Sequence, residues 1–131
     1  MIALDTNVLV RFLVEDDQVQ AARATALIKR AIEGDDRLFV ADIVMCEAAW
    51  VLGTTYKTPR REIAAVFRRL VGARHLAFAS TDALARALSA FETGKGDFAD
   101  YLIREQAKAA GCAAVVTFDG ALLKEPGFER P

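Results

Sequence analysis

The chain has 131 residues, 53% of them hydrophobic, which suits one domain built round one core. Its formal net charge of −1 argues against binding nucleic acid through bulk positive charge. No apolar run approaches the roughly 20 residues of a membrane span, and residues 1–5 carry neither a basic segment nor a signal-like cleavage site, so a cytoplasmic location is expected.

Residues 2–5, Ile-Ala-Leu-Asp, read as a short buried strand. Asp5, Thr6 and Asn7 then offer side chains suited to capping a helix, which residues 8–13 continue. Across residues 17–33 the recurrence of Ala22, Ala24, Leu27, Ile28, Ala31 and Ile32 predicts a second helix, stopped at Gly34-Asp35-Asp36. Residues 38–41 form a second strand, and Asp42 is placed to cap a helix over 43–56 that contains Trp50. Pro59 fits the first turn of a helix over 60–72, with Ile63, Val66, Phe67, Leu70 and Val71 at helical spacing. A strand over 76–79 is followed by a helix that Ser80 or Thr81 caps and that runs to Glu92. After the loop Thr93-Gly94-Lys95-Gly96 come a helix over 97–110, ending at Gly111, and a strand over 113–118. A short fifth strand is placed near Phe128.

Strands alternating with helices imply right-handed βαβ units and a parallel sheet. The expected fold is α/β, one domain over residues 1–131, an α/β/α sandwich round a four- to five-stranded parallel sheet. Ligands of such folds bind beyond the carboxyl ends of the strands. The two cysteines, Cys46 and Cys112, lie in apolar stretches and are expected to be buried small hydrophobes, with no disulfide or zinc site.

Acidic residues stand where the site is expected. Asp5 follows the first strand and Asp119 the fourth; each serves equally well as a turn or cap residue. Glu47 interrupts an apolar helix, so it is expected to be buried, held there by a cation or by an ion pair with an Arg or Lys. Asp97 and Asp100 share a helix face. Helix capping accounts for one of them, and Arg104, four residues on, offers Asp100 an ion-pair partner. The set Asp5, Glu47, Asp97, Asp100 and Asp119 is all oxygen, which suits Mg²⁺ or Mn²⁺ and not Zn²⁺. A divalent ion in such a set acidifies a water for attack on a phosphodiester.

Taken together, Leu4-Asp5-Thr6-Asn7-Val8-Leu9, Glu47 in an apolar helix, Asp97-Phe98-Ala99-Asp100-Tyr101-Leu102-Ile103 and Thr117-Phe118-Asp119 resemble the PIN domain, and more narrowly the VapC toxins of toxin–antitoxin pairs. The resemblance spans the chain in order and spacing. It implies a Mg²⁺- or Mn²⁺-dependent endoribonuclease whose four family acids fall on Asp5, Glu47, Asp100 and Asp119. It implies metal contact by Asp5, Asp100, Asp97 and Asp119, with Thr6, Asn7 and Thr117 positioning ligands or water. It also implies a homodimer, an RNA substrate and a small cognate antitoxin that covers the site.

Six basic residues and one acid, Glu62, lie between Lys57 and Arg74. Arg60, Arg61, Arg68 and Arg69 are read either as an RNA-phosphate surface or as the solvated face of a helix. His75 carries no catalytic expectation. Trp50, Phe12 and Phe67 are expected in the core or a dimer contact. A phospho-receiver module is disfavoured because no Lys follows the late strand. A hydrolase with a nucleophilic Asp in its first strand is disfavoured because Asn7 stands where a second Asp is needed. A catalytically silent interaction domain is disfavoured by the intact acidic set.

Overall fold

A computed structural model describes residues 1–131. The elements are β1 (Ile2–Ala3), α1 (Thr6–Leu13), α2 (Gln18–Glu33), β2 (Leu38–Phe39), α3 (Asp42–Thr54), α4 (Arg60–Val71), β3 (Leu76–Ala77), α5 (Thr81–Thr93), α6 (Phe98–Ala109), β4 (Val115–Val116), a 3-10 turn (Leu122–Lys124) and β5 (Phe128–Glu129). All six helices fall where the apolar periodicity predicts them. The fold is α/β with parallel strands.

The sheet differs from expectation. β1, β2 and β3 form one parallel sheet in that order, while β4 pairs with β5 in a separate parallel pair. The continuous four- to five-stranded sheet is thus replaced by three strands and two. The reason lies in where the backbone groups go. Leu4 N–H bonds to the Phe39 carbonyl and Val40 N–H to that of Ala77, which extends the first sheet. Val115 and Thr117 donate instead to the carbonyls of Gly127 and Glu129. Gly127 adopts φ +89°, a conformation that favours glycine, and so turns the tail back alongside β4.

Helices hold most of the core. α5 packs on α4 and α6, and Phe98 meets Phe67 and Phe91 edge-on, with ring centroids 5.8 and 6.0 Å apart. The Arg60 guanidinium lies 4.2 Å over the Phe91 ring and donates to the Phe91 carbonyl at 2.9 Å and the Gly96 carbonyl at 2.5 Å. It therefore ties α4 to the loop that leads into α6. The buried Tyr101 hydroxyl fastens the same loop: it accepts the Gly96 N–H at 2.9 Å and donates to Glu125. A Cβ at Gly94 would run into the Tyr101 hydroxyl and ring, and one at Gly96 into the Leu122 side chain.

Candidate metal centre

Asp5 is the N-cap residue of α1 by its extended backbone, yet its carboxylate makes no capping bond. It is exposed, so its oxygens remain available to a ligand. The next residue, Thr6, is buried and donates its hydroxyl to Glu47 Oε1 at 3.3 Å. That contact joins the end of β1 to α3.

Glu47 corrects one expectation. It is exposed, because α3 buries Val44, Met45, Ala48, Ala49 and Leu52 and turns its other face outward. Ile43 and Trp50, on the same turns as Glu47, are 67% and 62% exposed. The apolar neighbours in sequence therefore divide between two faces, and Glu47 needs no ion to compensate burial. Trp50 lies outside the core, which leaves the dimer contact of the two places expected for it. Asp42 is the first helical residue and not the cap. Its Oδ2 accepts from Gln106 at 2.8 Å, and its Oδ1 is buried with no partner. Beyond the capping role that its sequence suggests, its position just after β2 marks Asp42 as a further acid of the strand ends.

The start of α6 gathers more acids. Asp97 is the N-cap residue, and its N–H donates to Asp100 Oδ2 at 2.8 Å. Burial raises the pKa of Asp100; the hydrogen bond from Asp97 N–H opposes this, and the charges of Asp97, Asp119 and Glu125 add to the rise. Glu125 was not singled out from the sequence, because only the return of the tail brings it to α6. Asp119 Oδ1 accepts the N–H groups of Ala121 and Leu122 at 2.9 and 3.3 Å, so one of its oxygens shapes the turn after β4. The Thr117 hydroxyl accepts the Asp119 N–H at 3.0 Å.

Arg104 does not neutralise Asp100. It donates to Glu105 at 3.3 Å and to the Pro126 carbonyl at 3.0 Å, and lies 5.3 Å over the Tyr101 ring. Glu105, buried, also takes Arg86 at 3.1 Å and Lys108 at 3.4 Å. The ion-pair alternative for Asp100 is thereby removed.

A cleft of about 350 Å³ lies between α3 and α6, and of the candidate acids only Asp97 lines it. Cys46, next to Glu47, lines one wall, and Asp97 lines the other. No three of the acids lie close enough to grip one ion together. The donor chemistry nonetheless fits a hard divalent cation: every side chain offers oxygen, and the negative charge around Asp100 has no internal cation to balance it.

The basic segment is only partly free. Arg60 is committed to the two carbonyls and the Phe91 ring, which corrects its reading as an RNA contact. Arg68 pairs with Glu92 at 2.9 Å. Arg61 and Arg69 are exposed and unpaired. Cys112 is exposed and not buried, because it follows Gly111 in the turn beyond α6; Cys46 is half-buried.

The PIN domain family matches residues 2–128 of this chain. No curated protein matches it.

Proposed function

As the chain belongs to the PIN domain family, a family of metal-dependent nucleases, we propose that it is a Mg²⁺- or Mn²⁺-dependent endoribonuclease, acting as the VapC-type toxin of a toxin–antitoxin pair. The observation that carries the reading is the convergence of Asp97, Asp119 and Glu125 on Asp100 while the one expected counter-ion, Arg104, is bound elsewhere. Asp5, Asp97, Asp100 and Asp119 would hold the ion, some directly and the rest through its water shell, since no three of them grip it together; when bound it supplies an acidified water and offsets charge on the phosphate. Glu47, steadied by Thr6, would take the proton of the attacking water. Thr117 steadies Asp119 by accepting its N–H, and Asn7 would position a ligand or water. Asp97 N–H keeps one Asp100 oxygen fixed and leaves the other to a ligand.

A second copy of the chain and a cognate antitoxin are the partners of this reading. Support for the homodimer is the exposed apolar face of Ile43 and Trp50 on α3 with Ile103, 51% exposed, on α6. α3 and α6 run antiparallel, since Asp42 meets Gln106 while Trp50 shares the cleft with Phe98. No helix is long and apolar enough to cross a membrane.

The test is incubation of purified protein with labelled tRNA and structured RNA in Mg²⁺, in Mn²⁺ and in EDTA, beside Asp5→Asn and Asp100→Asn. Cleavage is expected with either metal only, and is expected to fail in both variants. Cleavage that persists in EDTA or in both variants would overturn the metal-centre reading. A short DNA-binding protein encoded beside this chain, which suppresses cleavage when co-purified, is expected for the toxin reading.

A further inference from the structure

A second cleft, of about 380 Å³, lies between α1 and α2. Its floor is apolar, made by Val8 of α1 and by Ala24 and Leu27 of α2. Its rim carries Arg11, Arg23 and Arg30. On α2 the positions of Arg23, Leu27 and Arg30 are three and four apart, so they form one face towards α1. Asn7 lines the α1 side, within a helical turn of Asp5. None of the candidate acids lines the cleft, but Asn7 at its edge stands two residues from Asp5.

The three arginines are not alike. Arg11 donates to Gln20 at 2.7 Å, to Tyr56 at 3.2 Å and to Asp16 at 3.3 Å, so its charge is already met. Arg23 and Arg30 are exposed, and neither guanidinium has an ion pair or hydrogen bond. The acids beside them are occupied: Glu33 pairs with Lys29 at 4.0 Å, and the Asp17 side chain accepts the Gln20 N–H at 3.0 Å. Two uncompensated cations over an apolar floor, in a chain of net charge −1, fit a polyanion with flat apolar faces.

We infer that this cleft holds single-stranded RNA next to the bond to be cut, with Arg23 and Arg30 each contacting a phosphate. Arg23 and Arg30 are separated by about two turns, roughly 10 Å of helix, and so reach separate phosphates of a strand, not one. A single strand can also lay a base or sugar against Val8 and Leu27, which a duplex, its bases stacked inside, cannot. Arg11, held by Asp16 and Tyr56, acts as a wall of the cleft. The inference rests on RNA being the substrate.

The test measures binding of a labelled single-stranded RNA of about 12 nucleotides by fluorescence anisotropy in EDTA, where no cleavage is needed. Wild type is compared with Arg23→Ala/Arg30→Ala and with Lys29→Ala, whose side chain points away from the cleft. The double variant is expected to bind more weakly. Its slope of log Kd against log salt is expected to fall by about 1.4, the loss of two phosphate contacts to a single strand. Lys29→Ala is expected to match wild type. In the cleavage assay the double variant is expected to raise KM and leave kcat unchanged. Wild-type protein that binds no RNA would overturn both this inference and the nuclease reading. Unchanged affinity and salt slope in the double variant would overturn the cleft alone. So would loss of binding to an acidic peptide with RNA binding intact, since the cleft would then belong to a protein partner.

Discussion

The hydroxyl of Thr6 donates to Glu47 Oε1 at 3.3 Å, linking residues 41 apart in the chain. Thr6 is buried and Glu47 exposed, so the bond holds an outward-facing carboxylate from an inward-facing anchor. One residue before it stands Asp5, whose carboxylate is free. Replacing Thr6 by Val keeps the volume and removes the donor. Thr6→Val is expected to lower cleavage by about 10–100-fold and to cost stability only about 1 kcal/mol. Steady-state cleavage beside thermal denaturation separates the two effects, and equal losses in both would mark a structural role.

Asp100 is expected to be a site where function and stability oppose each other. Its folded pKa is raised above the ordinary 3.8, by burial first and by the neighbouring acids. A carboxyl whose pKa rises on folding loses stability as pH climbs from its unfolded value through its folded one, and stays unfavourable above. Asp100→Asn is therefore expected to raise Tm at neutral pH in metal-free protein while abolishing cleavage. The gain should vanish below pH 3.8, where both forms are neutral. A lowered Tm at neutral pH would mean that a cation of the chain balances Asp100 after all.

Glu105 is expected to behave in the opposite way. Burial pushes its pKa up, but Lys108 and Arg104 pull it further down, so the net shift is below 4.5. A depressed carboxyl contributes stability above its unfolded pKa and loses it as pH falls through the folded one. Glu105→Gln is expected to cost about 1–3 kcal/mol at neutral pH, since Arg104 loses its charged partner inside the fold. Denaturant titrations at neutral pH and at about pH 3 should show the difference shrinking with acid.

The thiols are expected to differ in reactivity. Burial, with the charges of Asp42 and Glu47, pushes Cys46 up to about 11 from 9.0. Cys112 is exposed. Brief iodoacetamide treatment near pH 8 is expected to alkylate Cys112 and spare Cys46, because the thiolate is the reacting form. Peptide mass mapping reads the outcome; a Cys46 adduct as abundant as that of Cys112 would contradict the environment described for it.

Much of this molecule was legible in the sequence. Helical positions follow from apolar spacing and from stop signals such as Gly111, because both act within a few residues. The order of acids along the chain, Asp5, Glu47, Asp97, Asp100 and Asp119, was likewise visible, as residue types at strand ends and a helix start and, for Glu47, within an apolar helix. What a helix does with its two faces was not. Glu47 among apolar neighbours reads as buried until the packing of α3 shows Ile43 and Trp50 exposed beside it. Partner choice was hidden for the same reason: Arg104 stands four residues from Asp100 yet binds Glu105 and Pro126, and Arg60 in a basic run serves two carbonyls and a ring. The split of the strands into three and two depends on which distant backbone groups pair, with only two residues in each strand to decide it. Local spacing therefore determined the elements and the identity of Asp5 and its companions. Only the tertiary structure decided which charges meet, because ion pairing depends on distance through space and not along the chain.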